Sequence, residues 1–151
     1  MAGRSEGALA VPFQQLDPAL EAPSYAYPGD AGLDLRAASD CVLAPFERAT
    51  VGCGFALAIP EGHAGLVVPR SGLAARHGIS VVNGPGLIDS GYRGEVGVVL
   101  VNLDAHEPFS IRKGDRIAQL VIVEVPAVRL EQVGALDESA RAERGFGSSG
   151  A

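Results

Sequence analysis

The sequence has no tryptophan, two cysteines, three histidines and a single lysine in 151 residues. Aromatics make up 5% of the chain although 47% of it is hydrophobic, so its core must be built mainly from Val, Leu, Ile and Ala. His63, His77 and His106 share no metal-ligand spacing, and Cys41 and Cys53 form no CxxC pair, which disfavours a zinc site. Both cysteines lie in apolar runs and read as buried free thiols in a reducing compartment. No apolar run approaches the length of a membrane span, and "MAGRSEGALA" at the start lacks a long apolar region. There is no GxxxxGK[ST], and no GxGxxG follows a strand to open a helix, so P-loop and dinucleotide folds are excluded. The reading is a cytoplasmic protein without a membrane partner.

What is present is acidic, short-segmented and rich in turns. The net charge of −6 argues against a broad nucleic-acid surface, although a few converging cations can still hold a small polyanion. Lys113 apart, every cation is an arginine, whose planar fork suits phosphate. Twenty glycines and ten prolines punctuate the chain into short pieces. Alternation and β-branched content predict strands near 11–16, 33–37, 41–44, 48–59, 65–69, 79–82, 94–102 and 116–125. "YPGDAG", "PEGH", "NGPG" and "RKGD" supply turns between them. One or two helical turns are expected at 71–77, and a weaker helical pattern runs over 136–143. Many short strands with almost no helix indicate one all-β domain, a β-sandwich or barrel of jelly-roll type. The domain spans 11–136, with a disordered stretch at 1–10 and a tail at 137–151 where the apolar pattern stops.

Five segments carry groups that chemistry can use. In "GDAGLDLRA", Asp34 alternates with Leu33 and Leu35, which by itself reads as a solvent-facing strand residue. In "VVPRSGLAARHG", Arg70, Ser71 and Gly72 open a short helix, either as a plain cap or as a phosphate contact. "VVNGPGLIDSGYRGEV" places Asn83 in a glycine-rich turn that a flat ligand could approach closely. The same stretch gives Asp89 an apolar lead-in, as either a turn aspartate or a general base for water. Tyr92 adds a ring face with a polar tip. Gln119 interrupts the apolar strand of "KGDRIAQLVIVEV". Finally "RAERGFGSSG" sets Phe146 among glycines, between arginines and hydroxyls; alone it reads as a loose tail. Together these groups suit a nucleotide better than another small ligand.

In "AGLDL", "PRSGLA", "GLIDSGYRGEV", "GDRIAQL" and "RAERGFGSSG" the sequence resembles the five ordered motifs of the trimeric dUTP pyrophosphatases (dUTPases), over roughly residues 23–150. The resemblance implies an all-β, jelly-roll-like distorted β-barrel with a flexible C-terminal arm, forming a homotrimer with active sites between subunits. It implies that dUTP is cut to dUMP and pyrophosphate, supplying dUMP for dTMP synthesis and limiting uracil in DNA. Asp89 would activate the water that attacks the α-phosphorus, and Tyr92 would pack under the deoxyribose and exclude a ribose 2′-hydroxyl. Asn83 and the backbone around Leu87, Ile88 and Gly97 would read uracil, and Arg70, Ser71, Gly72 and Gln119 would hold phosphates. Mg²⁺ would sit mainly on phosphate oxygens and water, with Asp34 acting through a water. The arm would stack Phe146 on uracil beside Gly147 and Ser148 and bring an arginine to the γ-phosphate. Counting back from Phe146 favours Arg141 for that role over Arg144, which stands where the family usually has glycine. Ala142 replaces another glycine, so the arm is stiffer than usual. The related dCTP deaminases share several of these motifs, but their catalytic glutamate position is Val99 here, which cannot relay protons. A nucleotide sensor on the same fold would have lost the base or the phosphate ligands, and neither loss is visible.

Overall fold

The computed structural model describes residues 7–140 and 142–143. Among these, ten strands and one short helix follow in the order β1 (Phe13–Gln15), β2 (Leu33–Arg36), β3 (Cys41–Leu43), β4 (Arg48–Leu57), β5 (His63–Val68), α1 (Ser71–His77), β6 (Ile79–Val81), β7 (Gly86–Ile88), β8 (Glu95–Asn102), β9 (Phe109–Ile111) and β10 (Arg116–Glu124). They form a four-stranded sheet ordered β1-β4-β8-β6, a second ordered β2-β10-β5-β7, and a two-stranded pair β3-β9. Every recorded pairing between strands is antiparallel. The architecture is all-β and jelly-roll-like as expected, with separate sheets rather than a closed ring.

Burial follows from the pleat. Along β8, Val96, Val98, Leu100 and Asn102 are buried while Glu95 and Gly97 are exposed, the period-two pattern of a sheet with one covered face. Val96, Val98 and Leu100 meet Leu35, Leu43, Val51, Phe55, Ile79, Ile117 and Leu120 in one core cluster, built mostly from aliphatic side chains as the composition requires, with a single ring. Asn102, with Asp34 one of two buried polar residues among those described, is fully used. Its Nδ2 donates to the carbonyls of Leu43 at 3.0 Å and Glu107 at 2.8 Å, and its Oδ1 accepts the Asp104 N–H at 2.9 Å. The result is a staple joining β8, β3 and the 103–107 loop, at no cost of an unpaired polar group.

Three sequence expectations need correction. The 136–143 helical pattern forms no helix over 136–140; no helix or strand follows Glu124 among the described residues. β7 and β9 are strands that periodicity missed, each three residues long and close to a glycine or proline turn. Cys53 is buried, but Cys41 is only half-buried; both are free thiols. The 71–77 helix forms as expected. Gly78 ends it in the left-handed region at φ 65°, with its N–H returning to Ala74, and Arg76 and His77 stand at the negative end of the dipole.

Candidate active site

The antiparallel pairing of β7 with β5 fixes where the "GLIDSGYRGEV" segment goes. Gly86 pairs with Val67, Leu87 with Leu66 and Ile88 with Gly65, so Asp89 leaves the sheet at the Gly65 end of β5. A tight turn follows, in which the Tyr92 N–H donates to the Asp89 carbonyl at 3.1 Å. One nitrogen of the Arg93 guanidinium donates to the carbonyls of Ser90 at 2.7 Å and Tyr92 at 2.8 Å, clamping the turn from within. The Tyr92 hydroxyl donates to the Glu95 carbonyl at 2.9 Å, which fixes the far end of the ring. Leu87, Ile88, Asp89, Tyr92, Val96 and Gly97 then line one cavity of about 200 Å³. Five of the residues picked out from sequence are therefore gathered around one opening. The Asp89 carboxylate is exposed there and forms no hydrogen bond or ion pair with a described residue.

Asn83 lies before the other end of β7, in the turn that joins β6 to β7, and does not line that cavity. Its turn is tight: a Cβ added at Gly86 would stand 3.4 Å from Asn83 Nδ2, and one at Gly84 would stand 3.0 Å from the Val81 carbonyl oxygen. Gly84 lies close to the Val81 carbonyl, and the Asn83 amide packs in ordinary contact over Gly86.

The phosphate candidates collect elsewhere. β10 lies between β2 and β5, so Gln119 is the register partner of both Asp34 and Val68. Its side chain lies over Gly32, where an added Cβ would meet Gln119 Cβ at 3.0 Å. Arg70 and Ser71 follow directly after β5. Arg70, not Ser71, occupies the helix cap, and no side-chain cap bond forms, which removes the plain capping role for the Ser71 hydroxyl. Gly72 has an added Cβ position 2.9 Å from Arg76 Nη2, so this start is crowded by a guanidinium.

Asp34 departs from the solvent-facing reading. It is 6% exposed, and its Oδ2 accepts from Arg116 Nη1 at 3.3 Å. Arg116 also receives at its own carbonyl the Arg70 guanidinium, at 3.0 Å. One residue thus touches both Asp34 and Arg70, and sequence reasoning passed over it. The available signal was weak: an aspartate in an apolar strand needs a cation, but the partner lies 82 positions away in sequence. Arg70 and Arg116, with Leu73, Phe109, Ile111, Asp115 and Ile117, line a second cavity of about 250 Å³.

The two groups of residues are far apart within one chain. Asp89 sits beyond the Gly65 end of β5, and Arg70 beyond the Val68 end. Extended chain from Gly65 to Arg70 spans about 16 Å. Arg141, Arg144, Phe146, Gly147 and Ser148, the expected arm contacts, fall outside the described residues. Among the described residues no group of three or more His, Cys, Asp or Glu side chains is placed to hold a metal ion. At the deaminase position, Val99 is an apolar residue paired with Thr50 in the β4–β8 ladder.

An antiparallel jelly-roll-like fold with a free carboxylate, a tyrosine ring and a separate arginine-lined cleft defines a class of small-molecule sites without naming the ligand. The sequence model of the dUTPase family matches residues 19–150, and the chain belongs to that family. It is 55% identical over 144 residues to the deoxyuridine 5′-triphosphate nucleotidohydrolase of Thermobifida fusca, covering 95% of this chain and 80% of that protein. To the enzyme of the same name from Corynebacterium glutamicum it is 53% identical over 141 residues, covering 93% and 95%. Among solved structures, a mutant dUTPase of Staphylococcus bacteriophage 80alpha with dUpNHpp superposes with a TM-score of 0.87 at 31% identity, over 95% of this chain and all of that one. A mutant dUTPase of phage phi11 of S. aureus, described with a structural Mg(II) ion, superposes at 0.79 and 27% identity, over 86% of this chain and all of that one. No helix among the described residues is long and apolar enough to cross a membrane.

Proposed function

We propose that this protein hydrolyses dUTP to dUMP and pyrophosphate, with Asp89 as the base that activates water. The observation that carries the reading is the cavity between β7 and β8, where an unpaired carboxylate stands beside a tyrosine ring and exposed glycine backbone. Asp89 takes a proton from water as the water oxygen bonds to the α-phosphorus; the bond from that phosphorus to the α,β-bridging oxygen breaks, and pyrophosphate leaves. Positioned general bases of this kind contribute roughly 10²- to 10⁴-fold. Tyr92 lies under the deoxyribose, where a 2′-hydroxyl would collide with the ring. Asn83 and the main chain of Leu87, Ile88 and Gly97 read the uracil edge. Arg70, Ser71, Gly72 and Gln119 hold the triphosphate, and a C-terminal arm brings Arg141 (or Arg144), Phe146, Gly147 and Ser148 over it.

The donor set suits Mg²⁺ carried in on the substrate. Asp34 lies at the phosphate side, and no group of three or more potential metal-ligating side chains gathers there among the described residues. Mg²⁺ generally keeps several waters and binds through phosphates and one or two carboxylates, so Asp34 would reach it through a water. When bound, the ion neutralises charge that builds on the phosphate oxygens.

The separation of Asp89 from Arg70 and Ser71 supports a site completed by a second copy, since a base has to be within hydrogen-bond reach of the attacking water. Val125, Val128, Leu130, Val133 and Leu136 are all exposed on one stretch of chain, which also favours self-association. A homotrimer in the cytoplasm, feeding dUMP to dTMP synthesis and limiting uracil in DNA, accords with both. The test is a product assay with Mg²⁺ and dUTP, UTP, dTTP or dCTP offered separately. Pyrophosphate and dUMP from dUTP alone are expected; ammonia from dCTP, or binding of dUTP without turnover, would sink the reading.

A further inference from the structure

We infer that Glu95 is a positioning residue for Tyr92, acting from a bulge in the neighbouring strand. This rests on the proposed role of Tyr92 as the sugar platform. β4 pairs regularly with β8 from Arg48 to Gly52; the register then shifts before Ala56 meets Glu95. The shift is made at Gly54, whose φ of 73° lies in the left-handed region. A bulge of this kind leaves ladder groups without partners. The Glu95 carboxylate supplies one, its Oε1 accepting the Gly54 N–H at 2.8 Å.

The place is shaped for that carboxylate. A Cβ added at Gly52 would fall 2.5 Å from Glu95 Oε1 and 3.0 Å from its Cδ, so only glycine leaves the room it occupies. At the other end of the same residue, the Glu95 carbonyl accepts the Tyr92 hydroxyl at 2.9 Å. The Tyr92 ring lies across Gly94, where any added Cβ would collide with the phenol. Glu95 is thus held by its side chain to β4 and holds the ring by its main chain. The next residue, Val96, lines the cavity with Tyr92 and Asp89. Without the carboxylate anchor the start of β8 is free to lift from the bulge, and the ring shifts with it. A bulge staple that served stability alone would have no effect on which sugar is accepted.

The variants Glu95→Ala, Glu95→Gln, Gly52→Ala and Tyr92→Ala are compared with the intact protein for kcat and KM on dUTP and UTP. Amide exchange at Gly54 and Tm are measured in parallel. Loss of the anchor is expected to lower the dUTP-over-UTP preference on the order of tenfold or more, since small displacements remote from the chemistry can cost up to about a hundredfold. The loss should come mostly through a lower KM for UTP, whose 2′-hydroxyl no longer meets the ring, with faster exchange at Gly54. Glu95→Gln, whose amide oxygen still accepts from Gly54, should restore most of the preference. Gly52→Ala, which evicts the carboxylate without removing it, should reproduce Glu95→Ala and keeps the test open if that variant does not fold. An unchanged preference in Glu95→Ala or Gly52→Ala, with only Tm lowered, overturns the inference while Tyr92→Ala still loses selectivity. If Tyr92→Ala also keeps its preference, the sugar-platform reading falls and takes this inference with it.

Discussion

Asp34 and Asp89 each follow an aliphatic residue, Leu33 and Ile88, yet packing gives them opposite states. Asp89 emerges past the end of a three-residue strand, exposed and with no hydrogen bond or ion pair from its carboxylate to a described residue, which leaves it open to water as the proposed base. Replacing it by Asn keeps the shape and removes the proton acceptor. Asp89→Asn should bind dUTP nearly as well and turn it over about 10²- to 10⁴-fold more slowly, read by isothermal titration against steady-state rates. Full turnover would rule out the base. Asp34 instead lies under the sheet surface with Arg116 against it. Arg116→Ala leaves that carboxylate without its cation. The expected cost is about 1–2 kcal/mol in denaturant unfolding, less than for a fully buried pair because the Arg116 side chain remains 44% exposed. The Arg70 guanidinium donates to the Arg116 main-chain carbonyl, which the substitution keeps.

Among the elements, the ones legible in sequence were those with strong local punctuation. α1 begins after Pro69 and stops at Gly78, and its bounds were readable from those two residues. β4, β8 and β10 are long enough for alternation to appear. β7 and β9 were not, because three residues, one of them Gly86 in β7 and all of β9 just after Pro108, carry too little pattern, and their strand character comes from the partners β5 and β3. The contacts that brace these candidate residues join distant positions: Arg116 to Asp34, and Glu95 to Gly54. No window of local sequence contains both ends of either. β4 also carries a pH-dependent element. Burial of Cys53, with the Glu95 charge adding to it, pushes its thiol from 9.0 up to about 12. The folded thiol stays protonated while the unfolded one ionises, so the stabilising effect is complete below pH 9 and is lost as pH rises toward 12. Unfolding free energies measured across that window should fall more steeply for the intact protein than for Cys53→Ala. Parallel slopes would contradict the assignment.

At the scale of the whole molecule, the base side and the phosphate side of the proposed site occupy opposite ends of β5. Under the proposed function, one chain would then present half of each of two sites. Mixing Asp89→Asn with Arg70→Ala, each nearly inactive alone, should regenerate activity after subunits exchange, because some interfaces then combine an intact Asp89 with an intact Arg70. Absence of any recovery, with exchange shown by mass spectrometry, would place the whole site within one chain. Removing residues from Arg141 onward should reduce turnover far more than Tm, checked by the same assays; equal turnover would deny the arm a catalytic part.

The most direct test of the central claim is to let the protein hydrolyse dUTP in water enriched in heavy oxygen and weigh both products. Water attack at the α-phosphorus, assisted by Asp89, places the label in dUMP and leaves pyrophosphate unlabelled. Label in pyrophosphate would mean attack at the β-phosphorus and would contradict the mechanism drawn from the β7–β8 cavity.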